Sequence, residues 1–179
     1  MAKPNFLLIM TDQQRADHVG CYGNPAVRTP CIDRIAEDGV RFERFYVASP
    51  VCMPNRATLM TGRMPSLHGV RHNGIPLSVD HVTFVELLAA AGYETALVGK
   101  SHLQNMTGKP PMQRFVSAPG KLPPPEGLRE ANRRLRIGSA YENENDSAWK
   151  SASHHVSLPF YGFQHARICT DHGDLVGGE

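Results

Sequence analysis

The sequence predicts an α/β fold, with a mixed, mostly parallel sheet flanked by helices. Three observations carry this. Residues 4–13 read Pro-Asn-Phe-Leu-Leu-Ile-Met-Thr-Asp-Gln. An apolar run that ends in polar residues suggests a strand buried on both faces of a parallel sheet. Residues 83–98 read as a capped amphipathic helix followed by a short apolar strand. Strand and helix signals alternate over residues 1–103, as in a βαβ-type core.

The elements follow in chain order. Asp12 and Gln13 emerge at the carboxyl end of the first strand, the edge where open α/β sheets build their sites. A carboxylate and an amide carbonyl are hard oxygen ligands suited to Ca²⁺ or Mg²⁺. An aspartate after a strand also serves as a helix cap or turn residue. Arg28-Thr29-Pro30 opens a helix, with Pro30 at its first position and Ile32, Ile35 and Ala36 at helical spacing. Residues 51–63 read Val-Cys-Met-Pro-Asn-Arg-Ala-Thr-Leu-Met-Thr-Gly-Arg. Pro54 suits a first helical turn, Asn55 to Thr61 can propagate it, and Gly62 can end it in a left-handed cap. Cys52 is thereby placed at a helix N-terminus, whose N–H groups and dipole favour a sulfate or phosphate. Arg56, one turn further in, can fork onto oxyanion oxygens. Taken alone, Cys52 also reads as a buried structural cysteine.

Thr83 and Glu86 form a capping box, and Phe84, Leu87, Leu88 and Ala91 give an apolar stripe ended by Gly92. A strand from Thr95 to Val98 follows. Lys100 and His102 project where it ends, on the same side if the chain stays extended.

Cys52-x-Pro54-x-Arg56 running into Thr61-Gly62-Arg63 resembles the signature of type I sulfatases, and Gly99-Lys100-x-His102 resembles that family's second signature. The Thr29-Pro30 helix and His68-Gly69 are similar to family features too, with a structural role favoured for His68. The resemblance covers residues 4–103. It implies an alkaline-phosphatase-like fold and a sulfuric ester hydrolase. Cys52 would be oxidised to formylglycine by a formylglycine-generating enzyme, its partner, and the hydrated aldehyde would be the nucleophile. Arg56 and Lys100 would stabilise charge, and His102 would hydrogen-bond the formylglycine. The metal would be Ca²⁺, with Mg²⁺ or Mn²⁺ as alternatives, held by Asp12, Gln13 and Cys52. Asp12-Gln13, where many sulfatases carry Asp-Asp, resembles the choline sulfatase and phosphonate monoester hydrolase branches. A phosphonate monoester or phosphodiester hydrolase is therefore the alternative activity, and a catalytically inert module the alternative class.

Composition narrows the classes. The chain has 179 residues, 41% of them apolar, enough for a domain with a real core. A net charge of +2 gives no electrostatic case for nucleic acid or an anionic membrane. Arg129, Arg133, Arg134 and Arg136 read as a solvated helix face. No apolar stretch reaches membrane-spanning length, and the first apolar run is too short for a signal segment. The four cysteines, Cys21, Cys31, Cys52 and Cys169, show neither metal-type nor disulfide-type spacing. Reduced thiols and a cytoplasmic location are the expectation.

Organisation changes near residue 104. Prolines and glycines crowd residues 108–127, and residues 142–153 are polar and weakly patterned. The expected division is a core over 1–103, a loop-rich insertion over 104–157, and the start of a further segment over 158–179. Asp171-His172-Gly173 imitates the family's second metal-ligand pair. The favoured reading instead makes it a middle-segment motif following the Phe-Tyr-Gly-Phe of residues 160–163. The chain then reads as an N-terminal, inactive fragment lacking two metal ligands, a lysine and a histidine.

Overall fold

Local sequence rules decide most of the helices. The computed structural model describes residues 3–107, 109, 120, 125, 128, 130, 135–151, 154–170 and 175–178, the last four as backbone. The chain divides into two units, Met1–Tyr46 and Val47–Glu179.

In the first unit, Pro30 opens helix α1 (Pro30–Asp38) after Thr29, as expected. Asp33 anchors its start. The Asp33 carboxylate accepts from the Thr29 hydroxyl at 2.9 Å and from the Cys21 N–H at 2.7 Å. Residues 4–11 do not form the predicted strand. Leu7 is 86% and Ile9 72% exposed, and no described ladder includes this segment. A strand buried on both faces needs ladder partners and a covering layer, and the described residues of this unit supply neither. Ile32 and Ile35 are likewise exposed.

The second unit holds the core. Helix α2 (Cys52–Thr61) follows Val51 in extended conformation and ends at Gly62, whose φ is 66°. Its Met53, Ala57 and Met60 pack with Val70, Leu77, Val85, Leu103, Phe160, Tyr161, Ala166 and Ile168. A short helix, α3 (Pro65–His68), comes next. Helix α4 (Phe84–Ala90) carries the predicted capping box, with both Thr83 and Glu86 bonds formed. Its apolar stripe is not the packed face: Leu87 is 62% exposed, whereas Val85 is buried. The helix docks by its N-terminus, so the cap and its neighbours set which face turns inward. The Thr83 hydroxyl donates to the Tyr161 carbonyl at 2.8 Å.

Strand β1 (Ala96–Gly99) pairs in parallel with β2 (His165–Thr170), Ala96 opposite His165 and Gly99 opposite Ile168. Strand β3 (Leu175–Gly178) pairs antiparallel with β2, giving the order β1-β2-β3. The sheet is thus mixed. Helix α5 (Asp146–Ser151) lies between β1 and β2 in sequence. No described helix is long and apolar enough to cross a membrane.

The Phe-Tyr-Gly-Phe of residues 160–163 is a tight turn that seats α4. Gly162 has φ 92°, and a Cβ there would lie 2.5 Å from the Glu86 nitrogen. Beyond α2, His68 is fully buried. Its Nδ1 accepts from the Val70 N–H at 3.1 Å, so its Nε2–H faces the Thr58 hydroxyl at 3.0 Å. Burial holds the imidazole down to about 4, helped by the neighbouring His81 and Arg136. Arg136 is not on a solvated face. It donates to the carbonyls of Pro76 at 2.6 Å and His68 at 2.9 Å, while the other three arginines of that cluster lie outside the described residues.

Two expectations follow. Gly162→Ala should cost about 2–4 kcal/mol, from the left-handed backbone plus the clash. Gly62→Ala, which meets nothing within 4 Å, should cost only about 1–2 kcal/mol. Urea denaturation of both variants checks this, and equal losses would contradict it. His68 binds a proton in the unfolded chain near its ordinary 6.5 but in the folded chain only near 4. Its contribution is therefore complete above about pH 6.5 and is lost as pH falls toward 4. Thermal midpoints should drop across that window, and the drop should be smaller in His68→Gln; parallel pH profiles would contradict the assignment.

Candidate active site

The N-terminus of α2 is built around a proline and a distant amide. Val51 offers no side-chain cap. Asn73 supplies one from the loop after α3: its Oδ1 accepts from the Met53 N–H at 3.1 Å, and its Nδ2 lies 3.5 Å from the Cys52 sulfur. Pro54 has no N–H to offer. The helix end therefore presents fewer N–H groups to an anion than a generic N-terminus, and the Asn73 carboxamide stands beside the half-buried Cys52 instead.

One turn further in, Arg56 is buried and donates from Nη1 to the Lys100 carbonyl at 2.6 Å. A guanidinium has five N–H donors in a planar fork. This one uses a donor to tie the start of α2 to the residue just past β1. Strand β1 ends at Gly99, with φ 103°. The chain then does not stay extended, so the condition for placing Lys100 and His102 on one side by alternation is not met. His102 has φ 49°. Residues 101–104 curl around the carboxylate of Glu144. Its Oε1 accepts from the Ser101 hydroxyl at 2.6 Å and the His102 N–H at 2.7 Å. Its Oε2 accepts from the N–H groups of Leu103 at 2.8 Å and Gln104 at 2.6 Å. Glu144 is fully buried. Burial pushes its carboxyl up from the ordinary value, and the four donors pull it down.

Four of the sequence-predicted residues thus share one unit and one connected segment of structure: Cys52 and Arg56 on α2, and Lys100 and His102 on the loop that Arg56 holds. Asp12 and Gln13 lie in the Met1–Tyr46 unit, both exposed, Gln13 with φ 56°. Asp171 and His172 lie outside the described residues. Arg63, part of the Cys52 signature, is structural. It pairs with Glu130 at 2.6 and 2.7 Å, and Glu130 also accepts from the Val82 N–H at 2.6 Å. Among the described residues, no three His, Cys, Asp or Glu side chains gather as a metal cluster.

Sequence reasoning missed Asn73 and Glu144. Asn73 follows Cys52 by 21 positions with no local pattern to link them. Glu144 sits in a polar stretch, and its partners are 40–43 positions away.

Comparison with known proteins bears on this arrangement. The chain is 42% identical to human steryl-sulfatase over 115 residues, 57% of this chain and 19% of that protein. It is similar to BT4656, solved in complex with its substrate D-glucosamine-2-N,6-O-disulfate, with TM-score 0.56 and 38% identity, covering 57% of this chain and 21% of that one. It is also similar to the phosphonate monoester hydrolase of Agrobacterium radiobacter, with TM-score 0.58 and 28% identity, covering 96% of this chain and 27% of that one. The chain spans about a fifth of the curated relatives it matches. The neighbours share the alkaline-phosphatase-like α/β fold. The Sulfatase family model matches residues 4–149, a span that includes Cys52, Arg56, Lys100, His102 and Glu144, and the chain belongs to that family.

Proposed function

We propose that Cys52, converted to formylglycine by a formylglycine-generating enzyme, is the nucleophile of a sulfuric ester hydrolase acting on a small sulfate ester. The single observation that supports this most is the Arg56–Lys100 bond at 2.6 Å, which joins the Cys52 helix to the Lys100–His102 loop. One hydroxyl of the hydrated aldehyde would attack sulfur as the ester S–O bond breaks and the alcohol departs with a proton. The other hydroxyl would then give up its proton, the C–O bond to the sulfate would break, and the aldehyde would re-form. Two steps replace one difficult displacement.

Arg56 and Lys100 would balance negative charge on the nucleophile and the sulfuryl oxygens. His102 would orient the nucleophile or accept its proton. Asn73, already beside the Cys52 sulfur, would donate to an oxygen at that position. Asp12 and Gln13 are adjacent, exposed oxygen donors whose chemistry fits a hard cation such as Ca²⁺. They would hold part of its shell, and such an ion would supply Lewis-acid charge neutralisation.

A phosphonate monoester or phosphodiester hydrolase is the second reading. It is favoured by the 96% coverage of this chain in the phosphonate monoester hydrolase likeness.

Co-expression with a formylglycine-generating enzyme, followed by mass spectrometry of the tryptic peptide of residues 45–56, should give the aldehyde at Cys52. Only free thiol, where a control sulfatase converts, would overturn the proposal. The converted chain should then be assayed on aryl sulfate, phosphate diester and phosphonate monoester. Because it spans a fifth of its curated relatives, it should turn over at least about 10²–10⁴-fold more slowly than a form extended to their length. Turnover of the extended form on phosphonates alone would select the second reading.

A further inference from the structure

We infer that Glu144 is a positioning residue for this site, its carboxylate shaping the loop that carries Lys100 and His102 and acting through Lys100 on Arg56. The inference rests on the proposed function for its catalytic consequence, but its geometry stands independently of it.

Burying a carboxylate costs several kcal/mol unless its oxygens are well satisfied. Here the satisfaction is concentrated. Four donors from four consecutive residues, Ser101 to Gln104, converge on one carboxylate at 2.6–2.8 Å. Three of them are backbone N–H groups, which can only donate. Turning successive N–H groups inward makes a concave anion seat, and here the anion is the protein's own. A glutamine could not replace it. Its NH₂ would face at least one of those N–H groups and leave it buried and unsatisfied.

The seat fixes an otherwise unfavourable backbone. A non-glycine residue in left-handed conformation costs about 1–3 kcal/mol and persists when its surroundings over-determine it. His102 is such a residue, and its N–H is held by Glu144. The segment behind Glu144 is anchored to the same loop. The Gln104 side chain donates to the Ala140 carbonyl at 2.8 Å and accepts from the Asn143 N–H at 3.0 Å. The Trp149 indole donates to the Asn143 carbonyl at 2.9 Å. On the other side of the seat, the Lys100 carbonyl receives Arg56 at 2.6 Å. The geometry therefore runs from Glu144, through the curled backbone, to the guanidinium one turn from Cys52.

The test uses the full 179-residue chain with Glu144→Gln and Ser101→Ala variants. Two-dimensional NMR follows the amides of residues 100–104, the α4 amides and the Arg56 guanidinium protons. Folded Glu144→Gln should leave α4 resonances in place, displace those of residues 100–104, and shift or broaden the Arg56 guanidinium signal. A merely structural role would not reach Arg56 while sparing α4. In the converted enzyme extended to its relatives' length, kcat of Glu144→Gln on an aryl sulfate should fall by about 10²-fold with KM within about twofold, since loss of positioning acts on the reacting geometry. If Glu144→Gln does not fold, Ser101→Ala, which removes one donor of the four, decides: the same signals should move in the same direction by less. Unchanged Arg56 and loop signals in a folded variant would overturn the inference. If the wild-type extended enzyme turns over no sulfate ester, the sulfatase reading fails, while the Arg56 signal still decides the positioning claim.

Discussion

One hydrogen bond ties the two halves of the candidate site together: Arg56 to the carbonyl of Lys100. Arg56 is buried, on a helix whose Met53, Ala57 and Met60 are core residues. A bond from a charged donor contributes about 1.5–3 kcal/mol. The bond therefore constrains position strongly. On one side it fixes the start of α2 and with it Cys52. On the other it fixes the exit of β1, whose parallel register with β2 is set by the ladder. Glu144 then decides how the chain leaves that point.

The Cys52 signature separates into two physical roles. Its first half, Cys52 and Arg56, starts α2 and reaches the exit of β1 through the Lys100 carbonyl. Its second half terminates the helix and joins it to the rest of the unit. The Thr61 hydroxyl donates to the Ala57 carbonyl at 2.7 Å, Gly62 caps the helix, and Arg63 clamps Glu130. His68, with Arg136 on its carbonyl, secures the next turn. Among the described residues from 130 to 145, polar side chains peg the chain to the rest of the unit. Glu130, Arg136 and Glu144 each reach back to earlier elements.

Features governed by neighbours in sequence were legible. The Pro30 start of α1, the Gly62 cap of α2 and the Thr83–Glu86 capping box all depend on contacts within a turn, and all form. The residues that carry the family signatures were legible for the same reason: spacing is local. Features that depend on distant partners were not. Residues 4–11 have the composition of a buried strand but join no described ladder. The α4 stripe points outward because the turn at residues 160–163 seats the helix by its end. The chain past Lys100 is not extended because a carboxylate some 40 residues away curls it. Asn73 and Glu144 escaped notice because an isolated Asn or Glu carries no periodicity. Their roles exist only once the fold brings a helix N-terminus or a row of N–H groups to them.

The proposed function requires the start of α2 and the exit of β1 to form one anion-binding site. Titration of isotopically labelled, formylglycine-converted chain with inorganic sulfate, followed by NMR, tests it most directly. Resonances of residue 52, Asn73, Arg56, Lys100 and His102 should shift together along one saturating curve, and Arg56→Ala should abolish the curve. Shifts confined to other surfaces, or the same curve in Arg56→Ala, would contradict it.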